Sequence, residues 1–115
     1  MSASDSTNYY VSSAWRRLRD SYLREHPVCE ECIKHNHVEP AIDIHHKRPF
    51  QSEQTDIARW NTFLNPNNLI AVCKKCHYAF HYKLRHLHLQ ETDCLTEEEW
   101  QQAQIMYGNN LTNYE

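Results

Sequence analysis

Apolar and polar positions alternate with different periods along the chain, and the periods predict its elements. Trp15, Leu18 and Tyr22 recur at helical spacing, with Arg16, Arg17, Asp20 and Arg24 mostly on other faces. Ser12 or Ser13 can cap that helix, and Pro27 ends it, so residues 13–25 read as helix. Residues 41–46 alternate apolar and polar and predict a short strand closed by Pro49. Residues 50–64 show no clean period; they read as a loop with a helical turn in which Trp60, Phe63 and Leu64 belong to the core. The turn cluster of residues 65–68 precedes a second apolar run, Leu69 to Val72, read as strand. From Lys74 or Lys75 to about Leu87 the period is helical again. Tyr78, His81, Tyr82 and Arg85 share one face, and Phe80, Leu84 and Leu87 share another. Thr96 followed three residues later by Glu99 is a capping box, which places a last helix from about Glu97 to Met106, ending near Gly108.

These elements define a small α+β domain. At 115 residues and 40% apolar content the chain supports one modest core. A single glycine is too little turn chemistry for a barrel or sandwich of many hairpins. No apolar run is long enough to span a bilayer, and residues 1–10 lack the pattern of a secretory signal. The boundaries that follow are a loose arm over residues 1–11, a domain over 12–90, and an acidic helical extension over 91–115 packed on the same domain. Within the arm, Tyr9, Tyr10 and Val11 are able to dock. The Asn110-Leu111-Thr112 sequon is read as coincidental.

Charge is divided unevenly. The net charge is −3, yet all twelve Lys and Arg lie between Arg16 and Arg85. Residues 1–90 hold nine acids against those twelve bases, and residues 91–115 hold six acids and no base. A basic body can bind phosphates whatever the sum.

Five cysteines and nine histidines in 115 residues point to metal. Cys29-x2-Cys32 and Cys73-x2-Cys76 can each offer two sulfurs to one ion from one turn. Together they make a closed four-thiolate zinc site, which stabilises a small fold. Four free buried cysteines, or a redox CxxC, fit the double spacing less well. A set using His35 or His37 with the first pair is an alternative, but it leaves the second pair without evident partners. Cys94 stands alone and reads as a small hydrophobe. His77 and His81 are four apart on one helical face, next to Cys76. His45 and His46 are adjacent on a strand and must face opposite ways. A third imidazole beside an i,i+4 pair gives an open three-ligand site, leaving the other strand histidine for different work. His26, His35, His37, His86 and His88 read as structural or surface residues.

The string Asp43-Ile44-His45-His46-Lys47-Arg48-Pro49, then Asn67-Asn68-Leu69-Ile70-Ala71-Val72-Cys73-Lys74-Lys75-Cys76-His77 and on to His81, resembles the HNH endonucleases. More narrowly it is similar to their four-cysteine phage and prophage members, as are Ser13 to Arg19 and His26-Pro27-Val28-Cys29. The resemblance covers residues 9–82. It implies a zinc-stabilised ββα-metal core, flanked here by N- and C-terminal helices, and DNA phosphodiester hydrolysis yielding 5′ phosphate and 3′ hydroxyl. By the same resemblance His46 is the general base and Asn68 a catalytic, loop-bracing residue. His45, His77 and His81 hold a catalytic Mg, Mn, Ni, Co or Zn ion. Relatives commonly have Asp where His45 stands. Lys47, Arg48, Lys74, Lys75, Lys83 and Arg85 are candidate phosphate contacts, with Arg16, Arg17 and Arg19 extending the footprint. The expected partner is DNA in a bacterial or phage-infected cytoplasm, with terminase or portal proteins as further candidates. The alternative is a non-catalytic zinc-bound DNA-binding or packaging module.

Overall fold

The computed structural model describes residues 7–108. The elements follow in the order α1 (Thr7–Tyr10), α2 (Ser13–Glu25), α3 (Glu30–Lys34), β1 (Asp43–His46), α4 (Asp56–Phe63), β2 (Leu69–Val72), α5 (Lys74–His86) and α6 (Glu97–Gly108). Short 3-10 turns at Phe50–Ser52 and Pro66–Asn68 lie in the connection between the strands. The sequon of residues 110–112 falls outside the described residues. Among the described residues no helix is long and apolar enough to cross a membrane.

The two strands pair antiparallel, with Asp43 opposite Val72, Ile44 opposite Ala71, His45 opposite Ile70 and His46 opposite Leu69. Because side chains alternate across a strand, this register sorts residues into two layers. Ile70 and Val72 join the four paired cysteines, Phe80, Leu95 and Trp100 on one face. Ile44, Leu69 and Ala71 join Tyr9, Trp15, Phe50 and Phe63 on the other. The ribbon is thus buried on both sides, which is why β2 reads as a continuous apolar run.

The helices start where the sequence signals them. The Ser12 side chain accepts from Trp15 N, and Thr96 and Glu99 exchange both capping-box bonds, at 2.8 and 3.1 Å. Two segments differ from the sequence reading. The arm expected over residues 1–11 contains a helical turn at Thr7–Tyr10. Its Tyr9 is buried, 4.3 Å from the Trp60 ring and 4.8 Å from Phe50, and aromatic burial of this kind offsets the entropy of ordering a short segment. The mixed stretch before β2 holds a full eight-residue helix, α4, capped by Thr55 and closed around Phe63. Cys94 is exposed, so it contributes nothing to the core. Leu87 is exposed as well, although Phe80 and Leu84 of its predicted face are buried.

Glu31 is the least expected core residue. Its carboxylate is fully buried between the cysteines of the first pair and accepts from Leu95 N at 3.0 Å, His35 Nε2 at 2.7 Å and Lys34 Nζ at 3.2 Å. It ties α3 to the segment before α6. Glu31→Ala is expected to lower unfolding free energy by about 3 kcal/mol, because the His35 and Leu95 donors lose their partner in the interior. Urea unfolding measures this, and a loss below about 0.5 kcal/mol would place the residue in the ordinary surface class.

His35 stacks on Trp100 at 5.0 Å and bridges Glu31 and Glu97 at 2.7 Å each. Burial lowers its proton affinity, but the hydrogen bonds and charges of Glu97 and Glu31 outweigh this and its pKa is raised. The stabilisation is therefore complete below the ordinary histidine value of about 6.5 and fades as pH climbs through the raised value. Stability measured relative to His35→Gln should shrink over the pH range above about 6.5, as the raised His35 value is passed. A difference that stays flat over that window would contradict the ion-pair assignment.

Candidate metal centre and cleft

Both CxxC pairs occupy the same local structure. Cys29 and Cys73 are the residues just before α3 and α5, and Cys32 and Cys76 lie in the first turns of those helices. Helix N-termini favour thiolates. Cys32 holds the Cys29 thiol well below its ordinary value. The four sulfurs lie within 4.8 Å of one another, all four residues are buried, and all are free of disulfide bonds. Cys32 Sγ is 3.8 Å from Cys73 Sγ and 3.7 Å from Cys76 Sγ. A tetrahedron with sulfur about 2.3 Å from zinc has edges of about 3.8 Å, so the donor set fits one closed zinc ion. His35 and His37 take no part: one bridges Glu31 and Glu97, and the other meets Glu39.

His45, His77 and His81 each offer a nitrogen within 4.8 Å of the other two. His77 follows Cys76, so the turn that seats the fourth cysteine also fixes the start of the histidine face. His77 Nδ1 donates to Asp43 Oδ2 at 3.3 Å, which leaves Nε2 with a lone pair. That Nε2 is 3.0 Å from His81 Nε2, close to the edge of about 3.3 Å for two nitrogens on one tetrahedral ion. His45 is held from the other side. Its Nε2 faces the Thr92 carbonyl at 3.1 Å; a carbonyl only accepts, so Nε2 carries the proton. Nδ1 is then an acceptor, and it is buried without a partner. Burial first, then the neighbouring charge of His77, lowers the His45 pKa to about 3; burial first, then His77 and Arg85, lowers that of His81 to about 4. Neutral imidazoles with an orphaned acceptor are the state a divalent ion requires. The residues therefore fit a bound ion.

His46 points to the opposite face, as strand alternation requires. It stacks against both Phe63 (4.9 Å) and Trp15 (5.1 Å), which also touch each other at 4.7 Å, and its Nε2 donates to the Phe63 carbonyl at 3.1 Å. Burial is the main cause that lowers its pKa to about 4, so the ring is neutral at pH 7. Its Nδ1 is not among the sealed, unpartnered atoms, and the ring lines a cleft of about 230 Å³ with Tyr10, Pro49, Phe50, His77 and His81. The cleft thus joins the His46 ring to two of the three clustered rings. Two larger grooves lie elsewhere: an apolar one of about 360 Å³ between α5 and α6, and a polar one of about 510 Å³ beside Tyr22, Lys34 and Lys47. Neither contains the histidine cluster.

Asn68 sits behind the cleft rather than in it. Its Oδ1 accepts from Arg48 N at 2.9 Å, and its Nδ2 donates to the Arg48 carbonyl at 3.0 Å and the Thr62 carbonyl at 3.2 Å. Its backbone carbonyl accepts from Lys47 N at 2.8 Å. Asn68 therefore clamps the chain leaving His46 onto the end of α4. The basic candidates are not equivalent. Lys83 is held by Glu99 at 2.8 Å and the Cys94 carbonyl at 3.1 Å, and Lys75 meets Glu39 at 3.4 Å. Arg48 meets Glu53 at 3.3 Å. Arg16 donates to the Val11 carbonyl, and Arg19 to Asp20 and the Ile42 carbonyl. Lys47 borders the polar groove.

Residues 29–83, from the first cysteine into α5, match the family model described as HNH endonuclease. No curated protein matches the chain. Among solved structures it resembles the HNH endonuclease of the deep-sea thermophilic bacteriophage GVE2, whose crystal structure includes a manganese ion. That likeness spans 71% of this chain and 84% of the phage chain at 23% identity, with a TM-score of 0.61. It establishes a common fold.

Proposed function

We propose that this chain, with its HNH endonuclease match over residues 29–83, is a divalent-metal-dependent nuclease that hydrolyses DNA phosphodiester bonds. The carrying observation is the pairing of an orphaned His45 Nδ1 in a three-imidazole cluster with a neutral His46 ring on the adjoining cleft. His45, His77 and His81 are the ligands of an exchangeable ion. The manganese in the phage structure makes that ion the first to try. Bound there, a divalent cation supplies a Lewis acid for charge developing on a phosphate oxygen and the leaving 3′ oxygen.

The protein's own residues do the rest. The His46 Nε2–H is committed to the Phe63 carbonyl, so Nδ1 is the atom that takes a proton from water. The phosphate anion raises the proton affinity of a ring beside it, which counters the effect of burial. The hydroxide adds to phosphorus as the bond to the 3′ oxygen breaks; that oxygen takes a proton from solvent, His46 returns its proton to solvent, and the products carry 5′ phosphate and 3′ hydroxyl. Asn68 keeps the chain after His46 in place. Cys29, Cys32, Cys73 and Cys76 hold a structural zinc that fixes the start of α5. Lys47, Arg48, Lys74, Lys75 and Arg85 are the phosphate contacts; Lys83 is left out, since Glu99 and the Cys94 carbonyl occupy it. The resemblance to four-cysteine phage members makes a packaging partner such as a terminase or portal protein the class to screen.

Supercoiled plasmid incubated with the protein and Mg, Mn, Ni, Co or Zn in turn tests the reading. The expected result is nicking that requires one of the added ions. Salt-sensitive DNA binding without cleavage under any ion would replace the enzyme with a binding module.

A further inference from the structure

The segment joining α5 to α6 lies beyond the family match, yet it reaches the histidine cluster. α5 ends in a paired turn: Leu89 N bonds the Leu84 carbonyl at 3.0 Å and His88 N the Arg85 carbonyl at 3.4 Å, with His88 at φ 53°. This left-handed residue terminates the helix and redirects the chain. Residues 92–95 are then held by main-chain hydrogen bonds, with the Leu95 side chain also packed in the core. Thr92 N donates to the Lys47 carbonyl at 2.9 Å, Lys34 Nζ reaches the Asp93 carbonyl at 3.2 Å, and Lys83 Nζ reaches the Cys94 carbonyl at 3.1 Å. Leu95 N donates to the buried Glu31 carboxylate at 3.0 Å. The Thr92 carbonyl receives the His45 Nε2 proton at 3.1 Å. Thr92 is itself buried.

We infer that residues 92–95 form a strap that positions His45: the Thr92 carbonyl fixes the Nε2–H tautomer and so presents the Nδ1 lone pair to the ion. A free imidazole has two neutral tautomers, and only one suits this site. A hydrogen-bond acceptor on the far nitrogen selects it and holds the ring plane. Here that acceptor belongs to the backbone, so the strap's side chains leave no trace of the role in a motif. Two of its anchors, Glu31 and Lys34, lie on α3 beside the cysteine cluster, so the histidine ligand is braced from the zinc knuckle. Thr92 is thus a positioning residue, and the inference rests on the metal reading of the histidine cluster.

Two full-length variants test it, each loaded with zinc. In the first, the Asp93 amide is replaced by its α-hydroxy-acid ester, which weakens the Thr92 carbonyl as an acceptor and leaves every side chain in place. In the second, Lys34→Met with Lys83→Met frees the two lysine-held carbonyls. Nitrogen-15 NMR of the histidine rings reads the tautomer before any second metal is added, and titration with Mn2+ reads affinity. The unmodified protein should show His45 as the Nε2–H form. Both variants should show mixed tautomers and Mn2+ binding weaker by about tenfold or more, with one zinc still bound. The inference is overturned if either reading stays put in both variants: an unchanged His45 tautomer, or Mn2+ affinity within about twofold of the parent. Failure of the unmodified protein to perturb its three clustered rings with Mn2+ would instead refute the metal site itself, while the tautomer readings would still judge the strap.

Discussion

Alanine at position 46 should reduce metal-dependent plasmid nicking by about 10²–10⁴-fold, the usual contribution of a positioned general base. Mn2+ affinity should persist, because the ligand rings approach from the other side of β1. The substitution also empties the space beside Trp15 and Phe63, so some stability is lost. The assay therefore runs below the melting point of the variant, confirmed by circular dichroism. That same vacancy provides a second reading. Added imidazole should enter it and restore part of the rate, whereas a purely structural loss would not respond. Nicking by His46→Ala at the parental rate would remove the base from the account.

Loss of the zinc proposed for the four sulfurs should be more destructive still. The four cysteines are not peripheral staples: they are members of the cluster that contains Phe80, Trp100 and Val72, and they join α3, β2 and α5 at one point. Zinc in four-thiolate sites contributes on the order of 10–16 kcal/mol of apparent binding free energy, comparable to or above the whole stability of a small domain. Removal by a strong chelator, or Cys76→Ser, should abolish cooperative thermal unfolding and near-ultraviolet dichroism. DNA nicking should vanish in the same titration, because His77 sits one residue beyond Cys76. A chelated protein that keeps its near-ultraviolet signal and its Tm would show that the thiols pack as ordinary core.

Much of this arrangement can be read from local pattern. The helix from Ser13 to Glu25, both strands and the capping box at Thr96 follow from periodicity and terminal residues, which act over a few positions. The cysteine cluster and the His77–His81 pair follow from spacing, since x2 turns and i,i+4 pairs fix which donors share a side; the choice of His45 over His46 as third member comes from the family resemblance. The strap does not announce itself, because it acts through main-chain groups. Glu31 was also hidden: an acid in a charged stretch reads as solvated, and burial is tolerable because the neighbouring Lys34 and His35 and the distant Leu95 all donate to it. Helix α4 has weak helix formers in Trp60, Asn61, Thr62 and Phe63, and its formation depends on packing Phe63 against rings from α1 and α2. Tyr9 docks for the same non-local reason. Lys83 looks like a phosphate contact until α6 folds back and places Glu99 against it.

The proposed nuclease requires three imidazoles to converge on one exchangeable ion while the fourth stays free to act on water. Anomalous diffraction from crystals of the zinc-loaded protein soaked in manganese measures this directly. The expected result is a zinc peak within the four sulfurs and a manganese peak bonded to His45 Nδ1, His77 Nε2 and His81 Nε2, with the His46 ring outside bonding distance. An absent manganese peak at those rings, or an ion coordinated by His46, would contradict it.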